Sequence, residues 1–152
     1  MAKGKGVSAL QVLMEDHDYV KKSYRQFQKM DPEEDPEAVR GLVKQVCEAL
    51  KVHARIEEQI FYPAVRRALK DNDLMEEALV EHESAKALIR QLERMKPRDR
   101  KLAPTFTVLC EYVEHHVKEE ESEMFPKVRR ARLNLQALGK KLMARKARLA
   151  AR

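Results

Sequence analysis

Apolar residues recur every three or four positions over most of this chain, and the stretches between them are short and polar. From residue 7 to 29 the stripe is Leu10, Leu13, Met14, Val20, Tyr24 and Phe27. That spacing predicts an amphipathic helix. The acidic, proline-bearing "DPEEDP" ends it, since proline cannot continue a helix and acids favour the start of the next. Val39, Leu42, Val43, Val46, Leu50, Ile56 and Ile60 then predict a second helix over about 37–70. "DND" at 71–73 reads as a turn with a ready N-cap. Leu74, Met75, Ala78, Leu79, Ala85, Ile89 and Leu92 mark a third helix over about 74–95, closed by "KPRDR". Leu102, Phe106, Leu109, Tyr112 and Val113 mark a fourth over about 102–130, and "NLQALGKKLMARKARLAA" a fifth behind an Asn134 N-cap. Four long helices with short connections predict an all-α, antiparallel up-and-down four-helix bundle with an additional C-terminal helix.

Composition agrees and adds exclusions. The chain has 152 residues, enough for one domain with a real core: a bundle over about 7–130 and a basic helix over about 133–150. No apolar run approaches the roughly 20 residues that span a bilayer, and no h-region follows the basic start "MAKGKGVSAL". No membrane association is expected. Two cysteines without a CxxC pair fit a reducing cytoplasm. The net charge of +6 is unevenly placed: residues 127–152 hold ten of the 31 Lys/Arg and no acid, leaving 21 bases against 25 acids elsewhere. Such a tail can bind nucleic acid, but it brings no recognition motif or aromatic platform, so a solvated helix face is expected.

The stripes are broken by chemistry. Each of the four helices puts one histidine at a core-facing position: His17, His53, His82 and His116. Glu57 and Glu120 follow two of them by four residues and so share their helix faces. "HARIEEQIFYPAVRR" at 53–67 and "HVKEEESEMFPKVRR" at 116–130 repeat these features in register, and "HDYVK" at 17–21 is echoed by "HESAK" at 82–86. Buried ionised carboxylates cost several kcal/mol unless paired or metal-bound. Four imidazoles and two carboxylates, repeated as helix pair on helix pair, therefore predict two cations on a pseudo-two-fold axis. His17 and His53 hold one, His82 and His116 the other, and Glu57 and Glu120 bridge them. Nitrogen and oxygen donors without thiolate suit iron, manganese or zinc. The symmetric bundle leans toward a di-iron or di-manganese pair.

These residues resemble the hemerythrin-like (HHE cation-binding) family. The likeness runs through "EDH" at 15–17, "HARIEEQIFYP" at 53–63, "EH" at 81–82 and "HVKEEESEMFP" at 116–126, and extends to the final helix. It implies a cofactor of two iron ions, oxo- or hydroxo-bridged, in a chain expected to be a monomer. It implies a small ligand such as O2, NO or peroxide, in sensing, storage or detoxification. A catalase- or peroxidase-like enzyme and an iron-centre repair protein are the alternatives. Two departures set the chain apart from the oxygen carriers of the family. Lys86 stands where they place a fifth histidine, and Glu120 lies four residues after its histidine, where they have an aspartate at five. An additional open coordination position is implied, which favours reaction over reversible carriage.

Lesser candidates have structural expectations. Cys47 and Cys110 also follow the repeat and are expected to be small buried hydrophobes. His115 is expected at the surface, Glu58 and Glu121 in solvent, and Lys21 and Lys86 extended toward the bundle surface. Among Tyr19, Tyr24, Tyr62 and Tyr112, packing is the main expectation, and a place beside the metals for one of them is the alternative.

Overall fold

Ser8 starts the first helix, its hydroxyl accepting the Leu10 N–H at 3.2 Å. Asp35 caps the second through Ala38 N–H, with Pro36 in the first turn, where its missing N–H costs nothing. The computed structural model describes residues 7–70 and 72–151. In chain order it contains α1 (Ala9–Gln28), α2 (Pro36–Ile56), α3 (Tyr62–Ala68), α4 (Asp73–Arg94), α5 (Leu102–Glu119), α6 (Phe125–Arg130) and α7 (Leu135–Ala150). The helices sit where the apolar periodicity puts them, and no strand occurs among the described residues. Asn134 caps α7 as expected, accepting Ala137 N–H at 3.0 Å. Asn72, at the N-cap position of α4, forms no side-chain capping bond, and Asp73 and Glu76 place favourable charge in the first turn. Asp71 of that turn lies outside the described residues, as do residues 1–6.

The second and fourth long helices are not continuous α-helix. A π turn, Glu57–Phe61, joins α2 to α3, and another, Glu120–Met124, joins α5 to α6. The N–H groups of Tyr62 and Phe125 bond to the carbonyls of Glu57 and Glu120, five residues back. The cause is legible: Pro63 and Pro126 lack the donor that would continue the α ladder, and their rings crowd the carbonyl four residues earlier. Widening the turn removes that conflict. π turns of this kind collect at functional sites.

Helices α1, α2, α4 and α5 pack around a common axis, each against the next and α5 back against α1. Two apolar clusters fill the interior. One contains Val20, Phe27, Val43, Val46, Ile89, Phe106 and Leu109; the other contains Leu13, Ile56, Phe61, Val65, Met75 and Phe125. The second also takes Leu138, Leu142 and Leu149 from α7, which lies across α1, α2 and the first π turn. The basic tail is thus one face of a packed helix. No described helix is long and apolar enough to cross a membrane.

Cys47 and Cys110 are free and buried in the first cluster, as expected. Burial pushes the Cys47 thiol up to about 12 and Cys110 further still. The folded state keeps these protons while an unfolded thiol loses its own near pH ~8.5. Their contribution to stability is therefore whole at neutral pH and declines as pH climbs above about 9. Native protein at pH 8 should resist iodoacetamide, with two alkylations per chain appearing only after denaturation. Mass spectrometry reads this directly, and rapid alkylation of the native chain would refute the burial.

Candidate metal centre

Between the two apolar clusters lies a polar layer. His17, His53, Glu57, His82, His116 and Glu120 are all buried there, Glu57 with no exposed surface at all. The structure brings together every one of the six residues singled out by the repeat. Donor atoms of His17, His53, Glu57 and Glu120 lie within 4.8 Å of one another, and those of Glu57, His82 and His116 do likewise. Glu57 belongs to both groups. Its Oε1 is 3.4 Å from His53 Nε2 and 3.0 Å from His82 Nε2. Glu120 reaches His17 Nε2 at 3.2 Å and His116 Nε2 at 3.6 Å.

Close approach is not satisfaction. Nε2 of His17, His53 and His116, Glu57 Oε2 and Glu120 Oε1 are buried without an aligned hydrogen-bond partner. Five orphaned polar atoms in one layer are costly, since a buried unmade bond loses about 1–3 kcal/mol. The residues that carry them fall into the two donor groups that share Glu57, where cations would satisfy them, so the residues fit a metal site.

The outward nitrogens tell a different story. His53 Nδ1 meets Asp16 at 2.8 Å, His82 Nδ1 meets Glu58 at 2.7 Å, His116 Nδ1 meets Glu81 at 2.5 Å and His17 Nδ1 meets Glu121 at 2.6 Å. Each imidazole is gripped by a carboxylate from the neighbouring helix. The circuit closes from α1 to α2, α4, α5 and back to α1. Such carboxylates hold the proton on Nδ1 and leave the Nε2 lone pair facing inward, the tautomer a metal needs. Glu58 and Glu121 do not point into solvent as expected; they hold the site. The sequence did carry a signal: in both halves an acid directly precedes the first histidine and directly follows the buried glutamate.

Two lysines brace this circuit. Lys86 Nζ donates to Glu58 Oε1 at 2.9 Å, so the residue in the fifth-histidine slot holds a carboxylate. Lys146 of α7 donates to Asp16, which links the C-terminal helix to His53. Burial opposes charge on His116, but the nearby Glu120 carboxylate, the charge of Glu57 and its bond to Glu81 outweigh that and carry it to about 9. His53 and His82 move up against burial in the same way, chiefly through Glu57. Burial also works against the Glu57 carboxylate, yet His53 and His82 hold it well below the usual range. Metal binding must displace the imidazole protons.

Tyr62 is the tyrosine beside the centre. Its buried hydroxyl donates to Glu120 Oε2 at 2.6 Å and lies 3.1 Å from Glu57 Oε1 and 3.3 Å from His82 Nε2. Burial, reinforced by both carboxylates, keeps it a neutral phenol. The matching residue in the other half is Phe125, which stacks on His17 with centroids 6.2 Å apart. The two halves of the centre therefore differ by one hydroxyl. On the opposite side of the histidines lies a cavity with about 60 Å³ of room, lined by Val20, Leu50, Ile89 and Val113. That is space for a few water-sized molecules.

The model of the hemerythrin HHE cation-binding domain matches residues 8–132. The chain belongs to this family. Its members bind metal cations, and the six buried residues lie inside the matched span. A hemerythrin HHE domain-containing protein from Mycobacterium kansasii, an Rv2633c homolog, has a similar crystal structure. Its TM-score is 0.80 at 26% identity, over 95% of this chain and 88% of that one. A DNA nickase of Nostoc sp. (strain PCC 7120 / SAG 25.82 / UTEX 2576) is 28% identical over 118 residues, 78% of this chain. The match spans only 32% of the nickase.

Proposed function

We propose that this HHE domain, as a single domain, holds two iron ions and reacts with O2, NO or peroxide. His17 and His53 ligate one ion, His82 and His116 the other, and Glu57 and Glu120 bridge them. The observation that carries this is the set of orphaned nitrogen and oxygen atoms in one buried layer. When bound, iron supplies redox electrons and open coordination positions. The protein supplies the rest. Asp16, Glu58, Glu81 and Glu121 fix imidazole orientation. Tyr62 holds a proton between the two buried carboxylates. The apolar cavity admits small uncharged molecules to the imidazole edge and disfavours charged ones.

Lys86 decides between storage and reaction. Bound to Glu58, it would not supply the nitrogen donor that the carriers' fifth histidine provides, which favours reaction over storage. Protein from iron-replete cells should contain up to two iron per chain, with near-ultraviolet charge-transfer absorption. After anaerobic reduction, O2 should oxidise the centre within minutes, without reversible uptake. Stopped-flow spectra and an oxygen electrode test this. Gas evolution on adding H2O2 would favour a catalase-like enzyme over a sensor. Iron near zero in a folded chain would sink the reading, and reversible O2 uptake stable for hours would make the chain a carrier.

A further inference from the structure

The repeat lets one half of the bundle be compared with the other. His17 matches His82 and His53 matches His116, so Val12, Ile56 and Ile60 match Glu77, Glu119 and Glu123. On the first half, Val12 and Ile56 are buried in the cluster that α7 completes with Leu138, Leu142 and Leu149. On the second half the same positions are carboxylates in a narrow groove with about 30 Å³ of room. Glu77, Glu81, Glu119 and Glu123 line it, and its inner wall includes His116 and Glu120. Those two are at least nine-tenths buried, and each carries an unpartnered atom. Beside the groove, donor atoms of Glu81, His115 and Glu119 lie within 4.8 Å of one another. His115 Nε2 stands 3.5 Å from Glu119, and Glu81 also holds His116 Nδ1.

We propose that this groove is the port by which a divalent cation enters and leaves the buried centre, with Glu81, His115 and Glu119 as a transit site. Oxygen and imidazole donors suit ferrous iron. A concentrated acidic groove attracts cations. Glu81 and Glu119 each stand one residue from a buried ligand, so a cation held by them is already at the inner wall. The corresponding entry on the other half is closed by α7. His115, expected only at the surface, gains a role in this arrangement.

The inference rests on the metal reading above, and its test separates the two. Ferrous iron alone is added anaerobically to metal-free full-length protein. In a second arm, loaded protein is mixed with a ferrous chelator, which reads exit and needs no metal-free sample. The variants are Glu119→Gln/Glu123→Gln and His115→Gln. Glu33→Gln/Glu34→Gln is the control, since it removes the same two charges from an exposed loop at the far end of the bundle. Both port variants should load and release iron more slowly, the double variant by about tenfold or more, with the deficit shrinking at high salt. Final iron content and the charge-transfer spectrum should match the parent. Parent-like rates overturn the port and leave the metal centre standing. Lower final iron content also overturns it, because the residues would then belong to the resident site. A parent that binds no iron overturns both.

Discussion

Replacing Glu57 with alanine should empty both metal positions, not one. The Glu57 carboxylate is the donor common to both groups, with His53 on one side and His82 on the other. Its removal also leaves those two imidazoles without the acid that balances them in a buried layer, where an uncompensated charge costs about 3–5 kcal/mol. Glu120→Ala should behave alike, since Glu120 faces His17 and His116. Glu58→Ala and Glu121→Ala make the informative contrast. Each removes a carboxylate that touches a single imidazole, at its outer nitrogen, so affinity should fall roughly 10–100-fold while the site persists. Metal content after dialysis against a graded chelator series ranks all four variants. Equal losses at Glu57 and Glu58 would contradict the separation of bridge from brace.

Leu142→Ala should lower stability by about 2–5 kcal/mol. Leu142 is fully buried although it belongs to the most basic segment of the chain. For a domain of this size that is a fall in Tm of roughly 5–20 °C. Gly139→Val should be comparably harmful, because a side chain there would meet the Val7 carbonyl and the start of α1. Lys146→Ala should behave differently: a small change in Tm, but weaker metal retention through Asp16 and His53. Deleting residues 133–152 combines these losses. Strong, salt-sensitive DNA binding that vanishes with that deletion would instead make the helix a nucleic-acid element. Thermal denaturation and a DNA titration on the same proteins distinguish the outcomes.

The helices and the six buried polar residues were legible because a period of 3.6 accumulates over twenty residues. The π turns were not, because five residues are too few to show a change of period. Pro63 is visible in the sequence, but proline does not say whether a helix will bend or widen. That ambiguity misplaced Glu58 and Glu121. Straight α geometry turns each about 100° from the preceding glutamate and into solvent; a wider turn rotates less per residue and keeps them beside the histidine they hold. Asp16 and Glu81 escaped for another reason. Periodicity within one helix says nothing about a bond to its neighbour. Tyr62 matches Phe125 in the repeat, so sequence showed the substitution but not that its hydroxyl would fall between two carboxylates.

The closed circuit of carboxylates and imidazoles has a mechanical consequence. Each of α1, α2, α4 and α5 carries a histidine, and each supplies, on its own length or its attached turn, the acid that grips the next. Lifting any one helix away breaks two of the four bonds at once, exposing one imidazole and one carboxylate on each side. Fraying can therefore begin at the far ends but cannot progress past the polar layer without undoing all four helices. The centre of this bundle opens in a single concerted event, so its amides should share one opening free energy, that of global unfolding.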